Sequence, residues 1–298
     1  MTTEPTRIDL PSAGGQTVAV FRWLPAGEPR GVVQLTHGMG EHVLRYGHLA
    51  DRLTAAGFVV QGQDHRGHGA TARANGTEPG VLGPGGWDEL VADIGRLVEL
   101  GRQDVPGVPL VLLGHSMGSF AAQQYLLDHS EDVDAAVLTG TTLLDQLEAA
   151  IDTSQEIDLS AFNAPFAPAR TDYDWLSRDE AQVDAYVADP WCGFGLDPVG
   201  GAEMFAGGRA VADPQRLAAM RPDLPVYIAV GEHDPVGGPV VLAQGLADRY
   251  RDAGLKDVTF RVWPGGRHEI LNETNRDEVE GELFDWIEGL GALRAREQ

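Results

Sequence analysis

Residues 110–119 read Leu-Val-Leu-Leu-Gly-His-Ser-Met-Gly-Ser, and this stretch decides the fold. Four consecutive apolar residues predict a strand buried on both faces. Gly114-His115-Ser116-Met117-Gly118 then fits G-x-S-x-G, the sharp strand-to-helix turn that lifts a serine hydroxyl above an α/β sheet. The following Phe120-Ala-Ala-Gln-Gln-Tyr-Leu-Leu reads as a helix. Such a turn strains the serine backbone and brings neighbouring chain close on both sides, so a β-carbon at 114 or 118 should collide.

Outward from this turn, strands and helices alternate. Val18–Trp23 reads as an early antiparallel strand, and strands are expected near 31–36, 58–62, 109–113, 135–139, 224–230 and 258–263. Tyr46, Leu49, Ala50, Leu53 and Ala56 repeat at helical spacing, as do Trp87, Leu90, Val91, Ile94, Leu97 and Val98. Further helices are expected near 239–253 and around Val279, Leu283, Phe284, Ile287 and Leu290. The pattern predicts an α/β protein with a mostly parallel, doubly wound sheet. It breaks between about 143 and 221, a stretch rich in aspartate, proline and aromatics. We expect a helical cap at 143–221 inserted into a core made of 1–142 and 222–298, above the carboxyl ends of the strands, where ligands bind in open α/β sheets.

The chain has 298 residues, 43% of them hydrophobic, enough for one large α/β domain with a substantial core. A formal net charge of −23 argues against nucleic acid and against an anionic membrane surface as partners. No apolar run approaches the roughly 20 residues of a membrane span, so stable membrane insertion is not expected. The opening Met-Thr-Thr-Glu-Pro-Thr-Arg shows no secretory signal, and a cytoplasmic location is the expectation. Cys192 is the single cysteine, read as a packed thiol; no intrachain disulfide can form. Oligomeric state is not legible.

A serine hydroxyl needs a base, and the base needs a partner that fixes its tautomer. In chain order serine, acid, histidine, the candidates are Ser116, Asp234 and His268. Asp234 follows the strand at 224–230 in Gly-Glu-His-Asp-Pro, and His268 sits in a glycine-rich loop after the strand at 258–263. Glu232 is the nearest rival acid, and His115 is expected to point along the turn. Two backbone amides should receive a developing oxyanion: that of Met117, and that of Met39 in His37-Gly-Met-Gly-Glu-His42. Asp64-His-Arg-Gly-His-Gly69 should brace this loop by hydrogen bonds and charge. His65 and His68 lack metal-ligand spacing, so neither metal nor cofactor is expected. Phe162, Phe166, Trp175, Trp191, Phe194 and Phe205 could either line an acyl pocket or hold the cap together.

With these residues placed, the chain resembles the monoacylglycerol lipase and lysophospholipase branch of the α/β-hydrolases. The likeness rests on His37-Gly-Met-Gly-Glu-His, Arg45-Tyr46, Asp64-His-Arg-Gly-His-Gly, Gly114-His-Ser-Met-Gly, Gly231-Glu-His-Asp-Pro-Val and Gly265-Gly-Arg-His-Glu, in order and approximate spacing. The resemblance implies a Ser116–Asp234–His268 triad with the Met39 and Met117 amides as oxyanion hole. It implies hydrolysis of a neutral ester with an apolar acyl chain, such as a monoacylglycerol or lysophospholipid. Amidase, peptidase, perhydrolase and carbon–carbon hydrolase chemistry on the same scaffold remain alternatives, as does a non-catalytic binding protein.

Overall fold

The computed structural model describes residues 4–148, 155 and 157–294. A single eight-stranded sheet runs through it in the order β1-β2-β4-β3-β5-β6-β7-β8. β1 (Thr6–Pro11) and β2 (Thr17–Trp23) are antiparallel, and β2 meets β4 (Phe58–Gln63) antiparallel. From β4 onward, β3 (Gly31–Thr36), β5 (Leu110–His115), β6 (Ala135–Thr139), β7 (Val226–Gly231) and β8 (Val258–Trp263) are all parallel.

Period-two alternation sorts the strand side chains onto two faces. Val32, Leu110, Leu112, Ala136, Leu138 and Ile228 pack against α3 (Gly86–Asp104), α4 (Met117–His129) and α9 (Val240–Asp252). Val33, Leu35, Val111, Leu113, Val137 and Tyr227 pack against α1 (Gly47–Ala55) and α10 (Arg276–Arg294), and the short α2 (Gly69–Asn75) lies against β2. The sheet is therefore covered on both sides, as the apolar runs predict for a parallel sheet. β1 escaped the sequence reading because it is an edge strand whose residues alternate between exposed and half-buried.

Between β6 and β7 the described residues form helices and no strand: α5 (Leu144–Leu147), a 3-10 segment (Leu159–Phe166), α6 (Glu180–Ala188), α7 (Pro198–Ala210) and α8 (Pro214–Ala218). Residues 149–154 and 156 of this stretch lie outside the described residues. Aspartates at 158, 179, 197 and 213 each accept a backbone amide at a helix start, so capping accounts for part of the aspartate-rich composition. α7 packs on α3 and α4, and Glu203 accepts the Trp87 amide at 2.9 Å.

The strand order reverses at β3. The chain passes from β3 to β4 on one side, then returns to place β5 on the other. Thr36 at the end of β3 pairs with Gly114 at the end of β5. The loops leaving these two strands thus open side by side at the switch point, where α/β sheets bind ligands. Gly231 and Trp263 pair likewise at the ends of β7 and β8.

Candidate active site

Ser116 is the one non-glycine residue with positive φ among the described residues, at φ 51° and ψ −124°. Such a conformation costs about 1–3 kcal/mol and persists only when its surroundings enforce it. Here the Ser116 amide donates to Thr139 O at 2.9 Å, and Ser116 O accepts from Ser119 N at 2.8 Å and Ser119 Oγ at 2.6 Å. The glycines are steric requirements. A Cβ on Gly118 would stand 2.2 Å from Thr36 O, and one on Gly114 would stand 2.7 Å from Gly118 O.

His268 Nδ1 lies 2.9 and 3.0 Å from the two Asp234 oxygens. Asp234 Oδ1 also accepts the Val236 amide at 2.9 Å and the Gly237 amide at 3.4 Å, which fixes the carboxylate. Burial alone would lower the His268 pKa; the charge and hydrogen bond of Asp234, with Glu269 and Glu41 beyond, outweigh it and hold the imidazole above its ordinary value. For Asp234, burial is likewise overcome by His268 and the two amides, and the pKa falls. Glu232 does not reach the imidazole. Its Oε2 accepts the Gly265 amide at 2.8 Å and so steadies the histidine loop.

His115 departs from expectation. Its Nδ1 contacts Thr139 Oγ1 at 3.0 Å, and this turns the ring toward His268, 4.8 Å between centroids, and into the wall of the cavity. Trp175 closes on His268 from the helical stretch, with ring centroids 5.1 Å apart. Burial drives the His115 pKa down to about 3, so its ring is neutral.

The loop after β3 is braced as the sequence suggests, in part by neutral imidazoles. His37 Nε2 accepts the His65 amide at 2.9 Å while its Nδ1 donates to Gly38 O at 2.7 Å. His68 Nε2 accepts the Gly40 amide at 3.2 Å while its Nδ1 donates to Arg66 O at 2.8 Å. Burial lowers all three imidazoles, His65 to about 3 and His68 to about 4. Carboxylates add to the bracing: Asp64 accepts the Val43 amide at 2.9 Å and the Ala70 amide at 2.7 Å, and behind them Arg66 meets Asp93 at 2.7 Å. The Gly38 amide is accepted by Glu41 at 2.6 Å. Side chains therefore take the amides on either side of Met39, and the Met117 amide opens α4, where no intrahelical acceptor exists.

A second network joins Glu41, Arg45, Tyr46 and Glu269, which stand in the quoted motifs but were given no role there, with Asn272. Arg45 Nη1 contacts Glu41 at 2.6 Å and Glu269 at 2.5 Å, and its Nη2 contacts Glu269 at 2.7 Å. Tyr46 donates to Glu41 at 2.9 Å, and Asn272 to Glu269 at 2.9 Å. The guanidinium thus ties the loop after β3 to the residue next to His268. Burial raises the Glu41 pKa despite Arg45, whereas the bidentate guanidinium overcomes burial at Glu269 and lowers it to about 2. The i,i+4 spacing of Glu41 and Arg45 was the available signal; their bond to Glu269 has none at sequence level.

Ser116, His268, Met39 and Met117 border one cavity. Glu41, His115, Tyr186 and Glu269 supply its polar wall, and Leu144, Leu147, Ile157, Leu159 and Met204 much of its apolar wall. Of the six aromatics considered, Phe162, Trp175 and Phe205 border the cavity. The other three turn elsewhere to stack. Phe166 lies under the Arg267 guanidinium at 4.4 Å, Trp191 under Arg73 at 5.3 Å, and Phe194 against His68 at 5.0 Å.

Fold and site together define a serine hydrolase on the α/β-hydrolase fold. Residues 27–275 match the serine aminopeptidase S33 family. Monoacylglycerol lipase of Mycolicibacterium smegmatis is 34% identical over 279 residues, covering 92% of this chain and 94% of that one. Human monoglyceride lipase is 30% identical over 297 residues, covering 94% and 89%. A thermostable carboxyl esterase from Bacillus coagulans, solved with glycerol, superposes with TM-score 0.83 at 30% identity, over 97% of this chain and 99% of its own. The chain belongs to the S33 family of α/β-hydrolases. Among the described residues no helix is long and apolar enough to cross a membrane.

Proposed function

We propose that this protein hydrolyses monoacylglycerols or closely similar neutral esters through an acyl-enzyme on Ser116. One observation supports the reading: the cavity that Ser116 and His268 border is lined mostly by apolar side chains, together with Glu41, Glu269 and Tyr186, which gather around Arg45. The chamber suits an acyl chain. Glu41, His115, Tyr186 and Glu269 offer hydrogen-bonding partners to the hydroxyls of a small alcohol. The relatives called monoacylglycerol lipase and monoglyceride lipase support the same substrate class.

In this mechanism Ser116 Oγ attacks the ester carbonyl as His268 takes its proton. Asp234 holds the proton on Nδ1, fixes the tautomer and stabilises the imidazolium. The oxyanion faces the Met39 and Met117 amides, each worth roughly 3–4 kcal/mol of transition-state stabilisation. His268 then protonates the departing alcohol, and water cleaves the acyl-enzyme by the reverse proton transfers. The stretch 143–221 acts as a cap whose aliphatic residues select the chain.

The family description raises aminopeptidase activity as a second reading. A free α-amino group needs an unpaired carboxylate, and both cavity carboxylates, Glu41 and Glu269, are held by Arg45. The ester reading is therefore preferred. A panel of monoacylglycerols, lysophospholipids, short aryl esters and aminoacyl amides, with Ser116→Ala as blank, tests it. Turnover is expected on the monoacylglycerols. Turnover confined to the amides would overturn the proposal.

A further inference from the structure

We propose that His42, Asp189 and Cys192 form a binding site for one thiophilic divalent cation of the zinc class, at the seam between the oxyanion loop and the cap. A ring nitrogen, a carboxylate oxygen and a sulfur from these residues all lie within 4.8 Å of one another, the one such grouping of three among the described residues. His42 Nε2 stands 2.8 Å from Asp189 Oδ2. Around zinc, with bonds of about 2.0 Å to nitrogen and oxygen and about 2.3 Å to sulfur, tetrahedral ligand atoms sit roughly 3.3–3.5 Å apart. The histidine–aspartate pair needs to open by about half an ångström and the sulfur to swing in by about an ångström, moves within reach of half-buried side chains.

The backbone already presents two of the ligands. Asp189 Oδ1 accepts the Trp191 amide at 2.8 Å, which leaves Oδ2 facing His42. The Cys192 amide donates to Asp189 O at 3.1 Å and closes a turn that carries the thiol back beside the carboxylate. Gly193 N donates to Gly40 O at 3.0 Å, which pins this segment to the loop that carries His42. The donor set selects the cation. Mixed nitrogen, oxygen and sulfur ligands suit zinc or its cobalt analogue, whereas calcium and magnesium demand oxygen. Carboxylate and thiolate together balance a charge of +2, and the fourth position is open to water. Sequence spacing hid the site because His42 and Asp189 are 147 positions apart.

None of the three residues borders the substrate cavity, so the cation is separate from the hydrolytic chemistry. Its consequence is mechanical: it staples the segment around Cys192 to the oxyanion loop and so restrains the cap.

Cobalt(II) chloride titrated into untagged protein tests the site. Wild type should give one equivalent with a thiolate-to-cobalt charge-transfer band and the intense visible bands of a tetrahedral centre. Cys192→Ser should lose the charge-transfer band while keeping wild-type ester turnover without cation, which shows that it folds. His42→Gln should weaken binding more than about 10-fold, since even residues that only support ligands account for about 10–100-fold. Zinc chloride should compete cobalt out and slow turnover of a long-chain ester in wild type but not in Cys192→Ser. Absence of the charge-transfer band, or equal binding in all three proteins, would overturn the site. Binding without any effect on turnover would overturn the stapling consequence.

Discussion

Replacing Arg45 with methionine removes the link between the two loops that flank Ser116. Methionine keeps the length of the apolar stem, so the loss is chiefly the guanidinium and its three contacts of 2.5–2.7 Å to Glu41 and Glu269. Both carboxylates are buried, with 3% and 4% exposure. Stripping the partner from a buried ion pair costs about 3–5 kcal/mol, because uncompensated charge remains. At about 2 °C per kcal/mol for a chain of this size, the melting temperature should fall by roughly 6–10 °C. The sign with pH follows. Without Arg45, the folded-state pKa values of both glutamates rise above their unfolded values. The variant is therefore worst at neutral pH and recovers as pH falls and the carboxylates take up protons. Glu41 also accepts the Gly38 amide beside Met39, so its rearrangement moves the Met39 amide, the proposed oxyanion donor. A displacement of about 1 Å corresponds to roughly 10²-fold in turnover. Calorimetry from pH 5 to 8 and ester kinetics read both effects. Unchanged melting at pH 7.5 together with unchanged kcat would refute the clamp.

Gly118→Ala puts a Cβ 2.2 Å from Thr36 O and 2.5 Å from His37 O, both backbone, so the strand–loop junction must shift. Stability should drop by about 1–3 kcal/mol in chemical denaturation, and kcat by roughly 10²-fold. Asp234→Asn should lower kcat about 10⁴-fold with the fold intact by circular dichroism. In wild type, log kcat/KM should rise with pH through a His268 pKa above the ordinary 6.5, because only the neutral imidazole is a base. Leu147→Trp fills part of the apolar chamber, so kcat/KM should fall more than about 10-fold for long-chain monoacylglycerols and little for acetate esters.

The sequence was most informative where function and local geometry share a few consecutive residues. The strand–turn–helix around Ser116, its two glycines and the chain order of Asp234 and His268 were all legible, because each loop leaves the carboxyl end of a recognisable strand. So was the bracing of the loop after β3 by the 64–69 loop, though not the neutrality of the His37 and His68 rings that take part, which burial imposes. What escaped depends on distant chain. Arg45 and Glu269 are 224 positions apart, and nothing local to either says they meet. The aromatics divided on the same ground: Phe162, Trp175 and Phe205 reach the cavity, whereas Phe166, Trp191 and Phe194 are drawn away by Arg267, Arg73 and His68. β1 was silent because an edge strand exposed to solvent needs no apolar run.

Covalent capture of the nucleophile tests the central claim most directly. Wild-type protein treated with a fluorophosphonate at neutral pH should gain one adduct by intact mass, mapped by peptide sequencing to Ser116, as ester turnover is lost in parallel. Ser116→Ala should gain none, and Asp234→Asn should label far more slowly. An unmodified Ser116, or an adduct elsewhere that abolishes turnover, would contradict the account.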